Sequence, residues 1–386
     1  MSIKALPPVR RAVPIIRPDP TKASTMRAFF GGHPITLYSS GTAALAQALA
    51  RCAARSSVTA PEVILPAYGC PNLVSACIHA SVRPRLVDVA RSIWSYDSEK
   101  LTQAVTNRTI AIISVNLLGV DAGTPELLSF TRQRGLALIQ DSAQFLPRDR
   151  IAWPGDYIIL SFGRGKPLNL LFGGALIDTV DATPIHPDFA TPAIRERLLS
   201  TKVAALAFNL ATRPHLYWFM SRIPGLGINR AIYKELRNSS PLGGDPWYRI
   251  DTAFSAYRSE QSYRRQLWED AQREWEAFGI RPLRGPSPDS SAEPLRLALL
   301  APNEVNRDEI VSRLSRANLG ASQFYANTLP NITHIPEIVR HQGPFPNAEL
   351  LAQTLFTLPT HTLVTDEIVQ KTSIQIRRWR ISTCRK

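Results

Sequence analysis

The stretch LSFGRGKPLNLLFGGALI, residues 160–177, carries one lysine, Lys166, between two apolar runs that read as strands. A glycine and a proline flank it, which predicts a short turn rather than an exposed helix face. A lysine amine placed there is a candidate nucleophile toward a carbonyl carbon. In LALIQDSAQFLP, residues 136–147, Asp141 ends an apolar strand and is followed by Ser142, Ala143 and Gln144. The plainer reading of Asp141 is a cap on the following turn. In LYSSGTAALAQALARC, residues 37–52, Ser39, Ser40, Gly41 and Thr42 lead into a helix rich in alanine and leucine. Amides at such a helix start, with hydroxyls beside them, suit a phosphate. Ser and Thr also cap many helices that bind nothing.

The three elements together match one chemistry. Pyridoxal 5'-phosphate needs a lysine for its Schiff base, a carboxylate to keep its pyridine nitrogen protonated, and a cup for its phosphate. The protonated ring accepts the electrons left behind when a proton leaves the substrate carbon. The chain offers cup, carboxylate and lysine in that order, each at a strand end or a helix start.

The elements that must position these residues follow a regular alternation. The apolar runs PEVILP (61–66), RPRLVDV (83–89), IAIISVN (110–116), LALIQD (136–141), YIILSF (157–162) and GGALI (173–177) read as strands. Helical patterns near 71–80, 97–105 and 124–134 lie between them. This predicts an α/β domain whose sheet is mostly parallel and covered by helices on both faces. Ligands of such sheets sit beyond the carboxyl ends of the strands. Residues 194–222 differ: Leu198, Leu199, Val203, Leu206, Phe208 and Leu210 spread around a helix that Pro214 breaks, ahead of Tyr217, Trp218 and Phe219. That pattern predicts burial against the protein's own core, a second subunit or lipid. A helical hairpin buried at a subunit contact is the main expectation. Arg195, Arg197 and Lys202 weigh against peripheral membrane contact through 194–222, the lesser one. Helices at 251–278, 307–317, 347–356 and 366–379 and a strand at 295–301 predict a smaller α+β C-terminal domain. The expected organisation is an irregular arm (1–30), a large domain (31–248) with a helical insertion at about 194–240, and a small domain (249–386). The small domain would end in a basic tail, 377–386, solvated and dispensable.

The chain has 386 residues, 44% hydrophobic and 20% charged, with a formal net charge of +14. The balance is that of a globular protein. The positive excess suits an anionic substrate, a nucleic acid or an acidic membrane. The arginines are not interleaved with aromatics on one strand or loop, so a nucleic-acid partner is disfavoured. Cys52, Cys70, Cys77 and Cys384 lack metal-ligand spacing, and no metal is expected. The proline-rich start does not read as an export signal, and a cytoplasmic location is expected.

The ordered elements resemble the DegT/DnrJ/StrS family of sugar aminotransferases over about residues 30–375. SSGTAAL matches the family's phosphate cup, and VILPAYGCPNLVSACIHASVRPRLVDV its next two strands and the helix between them. GLALIQDSAQ matches the Asp-x-Ala-Gln element, SFGRGKPLNLLFGGALI the lysine loop, and SQFYANTL and GPFPNAELLAQTLFTLPTH the small domain. The resemblance implies the fold type I architecture of pyridoxal phosphate transferases and a homodimer. It implies that Lys166 carries the cofactor, Asp141 meets the ring nitrogen, and Gln144 lies near the ring hydroxyl. Gly41, Thr42 and Ala43 would hold the phosphate with Ser161, and Tyr325 would contact substrate. The implied activity is amino transfer from a donor such as glutamate to a keto sugar, typically nucleotide-linked and anionic, in polysaccharide or secondary-metabolite assembly. Retention of the lysine favours this over the dehydratases of the family. Two positions depart from the pattern: Cys70 stands where many relatives stack an aromatic residue on the ring, with Tyr68 nearby, and Trp247 stands where many have an asparagine. The insertion at 194–240 is longer than usual. These departures leave room for a non-sugar keto or amino substrate, or for a regulatory protein on the same scaffold.

Overall fold

In the computed structural model the described residues are 5–7, 13, 28–146, 154–180, 194–220, 222–223, 231–241, 247–287 and 292–383. The large domain alternates strands and helices as expected. In chain order it contains β1 (Ile35–Tyr38), α1 (Gly41–Ala54), β2 (Glu62–Pro66), α2 (Asn72–His79) and β3 (Arg83–Val87). Next come α3 (Ser98–Ala104), β4 (Thr109–Val115), α4 (Thr124–Arg132), β5 (Ala137–Asp141), β6 (Tyr157–Ser161) and β7 (Gly174–Asp178). The seven strands form one sheet in the order β1-β7-β6-β5-β4-β2-β3. Strands β6, β5, β4, β2 and β3 run parallel, while β7 is antiparallel to both β6 and β1. Every residue of β2 and β4 is buried, as a sheet covered on both faces requires.

Helix α1 lies against β6 and β7, the strands that bracket the lysine loop. Its buried face is made of Ala43, Ala44, Ala46 and Ala48 with Leu45 and Leu49, small enough to bring the helix close to the sheet. The approach is closest at Gly174. A Cβ there would lie 2.4 Å from Gly41 N and 2.5 Å from Ser40 C, so only glycine lets β7 pass the start of α1.

Residues 194–222 form two helices, α5 (Ile194–Ala211) and α6 (Pro214–Met220), with the break at Pro214. Burial against this chain's own core is not found, and the side chains of Leu198 and Leu199 lie outside the described residues. Val203, Leu206, Leu216 and Phe219 are exposed, because the inward positions are taken by Ala205, Asn209 and Thr212. The C-terminal part holds α7 (Trp247–Gln266), α8 (Glu269–Glu276), β8 (Arg281–Pro282), β9 (Arg296–Leu300), α9 (Glu304–Arg316) and β10 (Ser322–Gln323). It ends with α10 (Pro346–Thr354), β11 (Leu355–Pro359) and α11 (Asp366–Thr383). Its four-stranded sheet has the order β10-β11-β9-β8, all neighbours antiparallel. Trp268, Trp275, Ile310, Leu314, Phe356 and Trp379 fill its core.

The cores do not divide at residue 249. Ile250, Phe254 and Tyr257 of α7 pack with Phe29, Leu160 and Leu170 of the large domain. Leu329, Ile332, Val339 and Ala348 also join the large-domain core. The basic tail is a second correction, because α11 runs to Thr383 with Trp379 only 1% exposed. Arg377 pairs with Glu274 of α8, so this end of the chain is a packed element rather than a solvated extension. Cys384, Arg385 and Lys386 lie outside the described residues.

Candidate active site

One cavity of about 80 Å³ lies at the carboxyl ends of β4, β5 and β6 and the start of α1. Gly41, Thr42, Cys70, Asp141, Gln144, Ser161 and Lys166 all line it. These residues are spread over 126 positions of sequence, and the sheet order brings them together.

The lysine loop is held from both ends. Leu170 N donates to Phe162 O at 2.8 Å, and Leu168 and Leu170 are buried in the core with Phe162. Asn169 Oδ1 accepts from Leu171 N at 3.1 Å. Gly165, at φ +71°, takes the left-handed conformation that turns the chain into Lys166, whose amide donates to Gly163 O at 3.2 Å. The amine of Lys166 is thus carried on a tied turn.

Asp141 is the last residue of β5. Its Oδ1 accepts from Ala143 N at 2.9 Å, the turn-cap bond that the plainer reading expected. The carboxylate also lines the cavity with Lys166. Burial raises its pKa, and the Ala143 amide and the Lys166 charge oppose that rise only in part. A carboxylate in this state is poised to bind a further cationic N–H group.

At the other end of the cavity α1 begins. Ser40 takes an extended N-cap conformation, and its Oγ accepts from Ala43 N at 3.1 Å. The Ala43 amide therefore has a partner within the helix start, and Ala43 is not among the lining residues. Gly41 and Thr42 do face the cavity. A Cβ on Gly41 would lie 2.8 Å from Ser161 Cβ, so the helix start and the end of β6 close into a cradle that a side chain would fill. The helix dipole and the hydroxyls of Thr42 and Ser161 suit that cradle to an anion.

The donor set therefore fits pyridoxal phosphate. It offers an anion cradle at one end, a desolvated carboxylate for a ring N–H group, and a lysine between two strands.

Tyr325, from the C-terminal part of the chain, is not among the cavity-lining residues but touches two of them, Gln144 and Cys70. Tyr68 Oη donates to Tyr325 O at 3.0 Å and accepts from Tyr325 N at 3.2 Å, which fixes the backbone there. Gln144 Nε2 donates to Tyr325 Oη at 3.4 Å, and Gln144 Oε1 accepts from Leu118 N at 3.3 Å. Burial, with the neighbouring Cys70 thiol, pushes the Tyr325 phenol well above its ordinary pKa. Tyr68 is not among the cavity-lining residues, because its hydroxyl is spent on this clamp. Trp247 opens α7, and its side chain lies outside the described residues.

Asn116 was not anticipated. It is 1% exposed and lines the cavity just after β4. Its Oδ1 accepts from Ala122 N at 3.1 Å, its Nδ2 donates to Ser142 Oγ at 3.3 Å, and its amide donates to Asp141 O at 2.9 Å. The signal was present in the sequence, since an asparagine ending an otherwise apolar strand lies at the ligand-bearing edge of such a sheet.

Residues 23–183 match the model of the DegT/DnrJ/EryC1/StrS aminotransferase family. Over this segment, less than half of its length, the chain is similar to that family. The matched relatives include the UDP-N-acetyl-3-dehydro-alpha-D-glucosamine 3-aminotransferase of Acidithiobacillus ferrooxidans, 30% identical over 125 residues. That match covers 31% of this chain and 34% of the relative. The L-glutamine:scyllo-inosose aminotransferase of Streptomyces griseus is 34% identical over 121 residues, 31% of this chain and 28% of the relative. The chain thus matches about a third of the length of these curated relatives. Among solved structures, Spr1654 of Streptococcus pneumoniae in its PLP form superposes with a TM-score of 0.69 at 18% identity. That alignment covers 97% of this chain and 94% of the other. The fold is that of the pyridoxal phosphate aminotransferases, with the mixed, mostly parallel sheet described above.

Proposed function

We propose that this protein is a pyridoxal-phosphate-dependent aminotransferase that moves an amino group from glutamate or glutamine to a keto group on a sugar or sugar-like ring. The observation that carries the reading is the convergence of Lys166, Asp141, Ser161 and the start of α1 on one cavity. The bound cofactor supplies an electron sink for the carbon that loses its proton. Asp141 keeps a proton on the ring nitrogen, which its desolvated carboxylate favours by pairing with an N–H cation. Lys166 holds the cofactor between turnovers. Its Nζ would also move the proton that leaves the amino-bearing carbon of the donor and the one that arrives at the keto carbon of the acceptor. Thr42, Ser161 and the start of α1 hold the phosphate, so the ring keeps its place while the lysine comes and goes. Tyr325, locked by Tyr68 and bonded to the cavity-lining Gln144, would be the contact on the substrate side.

The relatives named above act on a UDP-linked sugar and on a cyclitol, which supports a hydroxylated keto ring as acceptor. The net charge of +14 favours an anionic, nucleotide-linked form of it. The test is reconstitution with pyridoxal phosphate, followed by incubation of glutamate or glutamine with a panel of nucleotide-linked keto sugars and free keto-cyclitols. The expected result is an aminated ring from at least one nucleotide-linked acceptor. Cofactor binding without amination of any acceptor would overturn the substrate reading, and failure to bind the cofactor would overturn the site itself.

A further inference from the structure

Helices α5 and α6 have their amphipathicity turned inside out. The inward positions of α5 and of the residue just past it are small or polar: Ala205 is 1% and Thr212 8% exposed. Asn209 Oδ1 accepts from Val13 N at 2.8 Å, and its Nδ2 donates to Val13 O at 3.0 Å. The outward positions are apolar, with Val203 68%, Leu206 53%, Leu216 45%, Phe219 63% and Ile223 43% exposed. Val203, Leu206 and Leu210 follow the spacing of one helix face. So large an apolar face on the outside of a folded chain marks a contact surface.

Past Glu196, near the start of α5, the charge along this stretch is of one sign. Between Glu196 and Glu235 the sequence has no acidic residue and six Lys or Arg residues. Lys202, Arg213, His215 and Arg222 are exposed, and the Arg222 guanidinium lies 4.0 Å from the Trp218 ring centroid. The basic residues that weigh against lipid in the sequence alone support it once the apolar face is seen to be outward. Apolar residues with tryptophan, tyrosine and long basic side chains beside them characterise helices that lie in the plane of an anionic bilayer surface. No helix among the described residues is long and apolar enough to cross a membrane, so the contact lies along the surface. A second copy of the chain fits less well. A two-fold contact through this face would set its unbalanced positive charges against themselves.

We propose that the outer face of α5 and α6 docks this protein on anionic phospholipid. The test uses the full chain in co-sedimentation with vesicles of phosphatidylcholine alone and of an equimolar mixture with phosphatidylglycerol. Binding is expected to the mixed vesicles, reversed by high salt, with little binding to the neutral ones. The double variants Leu206→Glu/Phe219→Glu and Arg213→Ala/Arg222→Ala should each lower the vesicle partition coefficient about tenfold. Their circular dichroism and sedimentation coefficient should match wild type. Absence of binding to mixed vesicles would overturn the proposal, as would equal binding to neutral ones. A glutamate double variant that changes the oligomeric state would also overturn it, and would assign the face to a subunit contact.

Discussion

Gly174→Ala isolates the role of the approach between β7 and α1. The added methyl would meet Gly41 N at 2.4 Å, Ser40 C at 2.5 Å and Gly41 Cα at 2.6 Å. All three are backbone atoms, so no side chain can swing aside. Restoring an ordinary contact of about 3.4 Å requires a shift of about 1 Å at the start of α1. Overpacking of this kind costs ~1–3 kcal/mol, a melting temperature lower by roughly 2–12 °C for a domain this large. The displaced atoms are the wall of the anion cradle, so cofactor affinity should fall more steeply than stability does. A misplacement of about 1 Å in a positioning element can cost on the order of 10²-fold in rate. Thermal melts with and without pyridoxal phosphate, together with an absorbance titration of the cofactor, measure both effects. A variant with wild-type cofactor affinity would refute the cradle, whatever its melting temperature.

Asp141→Asn should retain the fold and lose most turnover, because an amide cannot hold a proton on the ring nitrogen. Its stability should also change with pH. The pKa of Asp141 is raised in the folded chain, so wild-type stability declines as pH rises from the ordinary carboxylate range through the raised value. The cofactor-free Asn variant should lack that decline, and urea melts at acidic and neutral pH check it. Trp379→Ala should cost ~3–5 kcal/mol by emptying a buried site in the small-domain core, read by denaturant unfolding. An unchanged midpoint would restore the view of this end of the chain as a solvated tail.

Most of the frame was legible because its signals are local. The runs at 110–116, 136–141 and 157–162 became β4, β5 and β6 within one residue at either end. The run LFTLP was harder. It continues a helical pattern from Pro346, and the sequence reading extended the helix to 356, whereas the chain turns into β11 at Leu355. There the pairing of β11 with β9 overrides a local preference. Lys166, Asp141 and the start of α1 could be singled out for one cavity because each lies at a strand end, a helix start or the turn just after a strand. Their supporting contacts could not. The clamp of Tyr68 on Tyr325 joins residues 257 positions apart, and the use of Ser40 Oγ by Ala43 N depends on a cap geometry that the residue types alone leave open. What covers the exposed face of α5 and α6 was left open by the sequence for a different reason. Apolar composition predicts contact, but only the inward placement of Ala205, Asn209 and Thr212 shows that the contact is not with this chain's own core.

The central claim is that Lys166 carries the cofactor. Borohydride reduction of the protein reconstituted with pyridoxal phosphate, followed by proteolysis and mass mapping, tests it directly. The account predicts a single reduced adduct, on the peptide containing Lys166, and its absence from a correctly folded Lys166→Ala variant. An adduct on another lysine, or none on a protein that binds the cofactor, would contradict it.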